Sequence, residues 1–206
     1  MRNSTKMVVV SLCVLMLAGF ALSQDKMAHK APAHKAELSD AQYTKTALSG
    51  APHDIAMGAG VVRFDKDGKM TSLRESKNGF TCMLALAAPM CGDANSMAFF
   101  DALAKHENPP DKLGVTYMLR GDEGASNTDP SATAKTADNH WVVTGPHIMI
   151  LGPGAKSLGL SESADADPTK PYMMWAGTPY AHAMIPVGSP TPASMTAKTS
   201  ATEEKK

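Results

Sequence analysis

The sequence is poor in aromatic residues and cysteine, carries no excess of either charge and has a single long apolar run. Of its 206 residues, 5% are aromatic, three are cysteine, and 20 basic side chains balance 20 acidic ones. Zero net charge without a Lys or Arg block offers no basic face to a phosphate backbone, so no nucleic-acid partner is expected. Beyond the N-terminus no apolar run approaches the ~20 residues of a bilayer-crossing helix, so the mature chain is expected to have no membrane span. Motifs with a fixed chemistry are also missing. The chain contains no GxGxxG or GxxxxGK[ST] loop, no GxSxG elbow, no HExxH, no CxxC and no CxxCH. The usual sequence arguments for nucleotide use, serine hydrolysis, a zincin site, dithiol redox chemistry and covalent haem therefore fall away.

What is present begins with an export signal. Arg2 and Lys6 precede the apolar run Met7–Ala21, and Ala21-Leu22-Ser23 places small residues where a signal peptidase reads. Residues 1–23 are read as a cleaved signal peptide, and the protein as exported, to the periplasm or beyond. Export decides the cysteine chemistry. The mature chain keeps Cys82 and Cys91, and an oxidising compartment favours their pairing as a disulfide. Residues 24–37 form a small polar linker and 188–206 a tail rich in Ser, Thr, Pro and Ala. Neither buries enough apolar surface to offset the entropy of ordering, so both are expected to be mobile. Residues 38–187 remain as a single folded domain.

Local signals predict an α+β fold, a small antiparallel sheet with two or three short helices and one disulfide. Ser39 and Gln42 fit a capping box ahead of a helix over Asp40–Leu48, closed by Gly50 and Pro52. A short turn is expected over Pro52–Met57. Val61–Phe64 and Lys69–Arg74 flank the turn tetrad DKDG and read as a hairpin. Asp93 caps a second helix, Ala94–Lys105, with Met97, Phe100, Leu103 and Ala104 on its apolar face. Leu113–Leu119, Trp141–Thr144, His147–Leu151, Tyr172–Trp175 and His182–Val187 read as strands. The polar stretch 121–139 has no strand or helix pattern, and a loop that long within a compact domain is often functional.

The succession NGFTC (Asn78–Cys82), APMC (Ala88–Cys91), GVTYMLRGD (Gly114–Asp122), ASNTDP (Ala125–Pro130), GPHIMI (Gly145–Ile150) and PYMMWAGTPYAHAMIPV (Pro171–Val187) resembles an uncharacterised family of exported bacterial proteins. The resemblance spans about Ala47 to Val187. It implies bacterial origin, export and one domain, and transfers no activity, cofactor or catalytic residue.

Candidate sites follow from residue chemistry. The segments His147-Ile148-Met149-Ile150 and His182-Ala183-Met184-Ile185 share the pattern H-x-M-I. In strands, alternation puts His and Met of each on one face. On neighbouring strands in suitable register, His147, Met149, His182 and Met184 would converge as a soft donor set suited to copper, above all Cu(I). A third imidazole from His140 would instead suit zinc and an activated water, and Asp138 stands near enough in sequence to support His140 as a general base. Asp122, Asn127 and Asp129 offer oxygen ligands from the polar loop, and Trp141 and Trp175 offer walls for a small ligand. Three classes of function result: an exported non-enzymatic binding or accessory protein, with a copper-binding version as its sharpest form; a metal-assisted or His-based hydrolase; and a structural, envelope-associated protein.

Overall fold

The structure, a computed structural model, describes residues 37–85 and 88–189. The signal segment, nearly all of the linker and the tail from 190 onward lie outside the described residues. No helix among the described residues is long and apolar enough to cross a membrane.

The chain enters on α1 (Asp40–Leu48), whose capping box is formed as the sequence predicts: Gln42 N–H donates to the Ser39 hydroxyl, and Ser39 N–H donates to the Gln42 side chain. Pro52 caps the short α2 (His53–Gly58). The predicted hairpin is β1 (Gly60–Phe64) with β2 (Met70–Arg74). Asp65 holds its turn by accepting hydrogen bonds from the amides of Asp67 and Lys69. Then come β3 (Thr81–Ala85), β4 (Ala88–Gly92), α3 (Ala94–Ala104), β5 (Gly114–Met118), β6 (Ala125–Ser126), β7 (Trp141–Val142) and β8 (His147–Leu151). A 3-10 helix over Pro153–Leu158 leads towards β9 (Tyr172–Met174) and β10 (His182–Pro186).

The fold class is the α+β expected, but the sheet is not small. It has eight strands in the order β2-β1-β3-β4-β5-β8-β10-β9, while β6 and β7 pair separately. All pairs in the large sheet are antiparallel except β1 with β3. The extra size comes from β3 and β4, a segment for which the sequence predicts a disulfide but no strands. Pro89 argues against a strand because it lacks an amide for the ladder. Here it is tolerated because β5 pairs with β4 only at Cys91 and Gly92. Beyond them the backbone of Gly50 closes on the Pro89 carbonyl, so tightly that a Cβ on Gly50 would lie 2.6 Å from that oxygen.

The disulfide joins residues that are direct cross-strand partners, Cys82 opposite Cys91. Both sulfurs are buried under α1, among Tyr43, Ala47 and Val61. Replacing both cysteines by alanine should lower stability by about 2–3 kcal/mol, the loop-closure entropy of a ring near ten residues. Urea unfolding with and without reductant checks this, and an unchanged midpoint would mean that β3 and β4 are held by the sheet alone.

Consecutive strand residues face opposite ways, and the two faces are covered differently. Cys82, Cys91 and Val61 lie under α1, while Ala183 and Met173 pack with Ala155 of the 3-10 helix. The other face carries Met83, Met90, Met118, Met149 and Met184 and packs against Phe99 of α3. The buried stripe of α3 is Ser96, Phe99 and Ala102, one residue displaced from the expected face; Ala104 is exposed and Phe100 and Leu103 are half-buried. The helix must come close at its N-terminus, where Ser96 fits against Gly92 and Gly114. A small residue is required there, and that sets the helix rotation.

Candidate functional site

The methionine face does not close completely. Between it, Phe100 and Leu103 of α3, Trp175, and residues 122–126, 129, 130 and 132 of the polar loop lies a cavity of about 320 Å³. Six methionines wall it: Met83, Met90, Met118, Met149, Met174 and Met184. Its polar lining residues are Asp122, Glu123, Ser126, Asp129, His147 and His182.

Sheet register explains the arrangement. Met83 stands opposite Met90, and Met118 opposite His147. Because Cys91 pairs with Tyr117, Met90 and Met118 are adjacent, so a row Met83–Met90–Met118–His147 crosses four strands. A second row runs from Met149 through its partner Met184 to Tyr172. His182 stands opposite Met174.

Both histidines are held in the same way. His147 Nδ1 lies 2.7 Å from the carbonyl of Gly145, and His182 Nδ1 lies 3.0 Å from the carbonyl of Tyr180. A carbonyl can only accept, so Nδ1 carries the proton and Nε2 of the neutral ring presents a lone pair. Burial keeps both rings neutral. It lowers His147 against the opposing pull of the Gly145 carbonyl and the Asp122 charge, and it lowers His182 to about 4. His147 is 0% exposed, and its Nε2 has no hydrogen-bond partner among the described residues. A buried acceptor left unsatisfied costs about 1–3 kcal/mol, so an orphan of this kind asks for an explanation.

The covering loop is fastened by its own polar residues. Asp122 accepts from the amides of Gly124 and Thr144, which ties the loop start to the approach of β8. Burial raises its carboxyl above the usual range, with the two amides opposing. Gly124 has φ +100°, and a Cβ there would lie 2.1 Å from Trp141 Nε1, so only glycine fits. Trp175 holds a left-handed backbone at φ 55°. It is kept there by its amide donating to Asn127 O, by its indole N–H donating to Ser126 O, and by an edge contact with His182. Such a conformation in a bulky residue persists only where its surroundings over-determine it.

The residues singled out from sequence separate into two groups. His147, Met149, His182, Met184, Asp122, Asp129 and Trp175 line the cavity; Asn127, Trp141, Asp138 and His140 do not. The two H-x-M-I segments are neighbouring strands, but they run antiparallel. Met149 and Met184 are direct partners, whereas His147 pairs with Pro186, four residues from His182. At ~3.4 Å per residue the two histidine backbones are about 14 Å apart along the strands. The four side chains thus share one wall with the histidines at opposite ends, rather than surrounding a point.

Asn127 is a clamp: its side-chain amide donates to the carbonyls of Ser163 and Ala164. Trp141 forms β7 and packs on Gly124. His140 pairs with Asp165 at 2.7 Å, not with Asp138, and lines a separate surface depression with Lys135 and Thr136. Ser126 donates to Asn139 O and accepts from the amides of Thr128 and Asp129, so its hydroxyl serves the loop fold. Among the described residues no three His, Cys, Asp or Glu side chains come together as a metal site.

Four cavity methionines, Met83, Met90, Met118 and Met174, went unnoticed in the sequence. One signal for two of them was available. If Cys82 and Cys91 are cross-strand partners, the next residues inward, Met83 and Met90, must also face each other, on the opposite side of the sheet.

Compared with family models, curated proteins and solved structures, the chain matches none.

Proposed function

We propose that this chain is an exported binding protein that takes its ligand in the methionine-walled cavity beneath residues 122–132. Export rests on the N-terminal segment and is supported by the disulfide. The observation that carries the binding reading is the buried Nε2 of His147, without a partner among the described residues, on the wall of a cavity of about 320 Å³ that is otherwise largely apolar. Apolar walls with a few placed polar groups are the usual make-up of a small-ligand site. The atom is a lone-pair acceptor, so its partner is a hydrogen-bond donor or a Lewis acid. Thioether walls are polarizable and adaptable, which suits a compact ligand of irregular shape.

p-Cresol, an apolar body with one O–H donor, tests this directly, with toluene as the partner lacking the donor. In titration calorimetry p-cresol should bind the purified protein. His147→Phe should weaken it about tenfold, the worth of one net hydrogen bond near 1.4 kcal/mol, while toluene should bind both proteins alike. Equal p-cresol affinities in the two proteins would remove His147 from the site. Saturable binding of neither probe would count against the cavity as a ligand site.

A further inference from the structure

We infer that the Lewis acid suited to this cavity is a single Cu(I) ion, held at its β5–β8 end by His147 Nε2 and the thioethers of Met118 and Met149. This deepens the binding reading above and rests on it. The assignment differs from the four-residue set expected from sequence, because strand register selects different neighbours for the orphan nitrogen.

Three observations converge on these residues. Met118 is the direct cross-strand partner of His147. Met149 stands two residues further along the same strand, on the same face, so its side chain is the next one beside the imidazole. All three line the cavity and are nearly inaccessible from outside, at 0% exposure for His147, 7% for Met118 and 5% for Met149. By contrast His182 lies at the far end of the strand pair, and Met184 sits on the side of Met149 away from β5.

The chemistry fits a soft, singly charged ion. The Gly145 carbonyl fixes the Nδ1–H tautomer of His147, the outer support that metal-bound imidazoles commonly have. Thioether sulfur with imidazole nitrogen selects Cu(I) over the harder divalent ions, and Cu(I) accepts the low coordination that one nitrogen and two sulfurs supply. Charge is the remaining difficulty, because an isolated cation is costly to bury. Asp122 lines the same cavity as His147. Its carboxylate offsets a +1 ion where it would leave a divalent ion half-compensated.

The test is an anaerobic titration of the purified protein with Cu(I), supplied as its acetonitrile complex, against a chromophoric Cu(I) chelator. One equivalent should be retained, with an X-ray absorption spectrum of one nitrogen and two sulfur neighbours. His147→Phe should abolish retention. Met118→Leu and Met149→Leu should each weaken it at least tenfold, whereas Met184→Leu and His182→Asn should leave it within threefold. Circular dichroism checks that each variant is folded. Equal losses from Met184→Leu and His182→Asn would overturn this ligand set in favour of the longer one. No retention by a protein that still binds p-cresol through His147 would reject copper and leave the cavity reading standing. Retention of neither probe would end both.

Discussion

Phe99→Ala should destabilise the protein by about 3–5 kcal/mol, the cost of deleting a fully buried aromatic side chain and leaving part of its volume empty. Phe99 is 2% exposed and lies in the core behind the methionine wall. Its ring meets Phe100, Tyr180 and His182 edge-on, with centroids 5.6, 6.2 and 6.0 Å away. It is thus the anchor by which α3 reaches the far strands of the sheet. The site cannot readily collapse, since Ser96 is already pressed against Gly92 and Gly114 one helical turn earlier. Loss of the ring also frees the imidazole of His182 on one side, so the far end of the cavity should loosen with the core. Urea unfolding gives the magnitude. A loss below about 1 kcal/mol, the level of an ordinary point mutation, would show that α3 does not pack as described.

Acid should destabilise the ligand-free protein by about 3 kcal/mol between pH 7 and pH 4 through His182 alone. Its pKa is near 4 when folded, against about 6.5 for an unperturbed histidine. Burial is the main cause; the Tyr180 carbonyl opposes it, and a small electrostatic effect of His147 adds to it. The sign follows from proton counting. Between those two pKa values the unfolded chain holds a proton on this ring that the folded chain does not. Stability therefore falls as pH drops through 6.5, and the loss levels off below about 4. His147, also lowered by burial, acts in the same direction. His182→Asn retains a donor near the Tyr180 carbonyl and does not titrate in this range. Stability profiles of the two proteins from pH 7 to pH 4 should diverge by the stated amount. Parallel profiles would mean that His182 is not buried neutral.

Several features of this protein were legible because their causes are local. The capping box at Ser39 and Gln42, the Asp65 turn and the Asp93 cap are each satisfied within a few residues of chain. The disulfide was expected from the cysteine count, and Cys82 and Cys91 are bonded. The polar stretch 121–139 stands out by its length, and part of it lines the cavity. The H-x-M-I echo located two strands of the cavity wall, because side-chain alternation is a property of a strand alone.

What failed had non-local causes. β3 and β4 look unlike strands because of Pro89, and only the approach of Gly50 in place of β5 explains why a proline is accepted there. The rotation of α3 was misread because its buried face is set by the close fit of Ser96 on two glycines of other strands. His140 has Asp138 close by in sequence, yet pairs with Asp165 across a chain reversal.

The amino-acid sequence by itself determined the helix ends, the turns, the cysteine pair and the inward-facing positions of individual strands, because each depends on residue type and short spacing. Tertiary structure alone decided which side chains meet. Antiparallel pairing of β8 with β10 drew Met149 and Met184 together and sent their histidines to opposite ends. Pairing of β5 with β8 set Met118 against His147. Strand order and register are fixed by packing over the whole sheet, and a one-residue change of register would turn every one of these side chains to the other face.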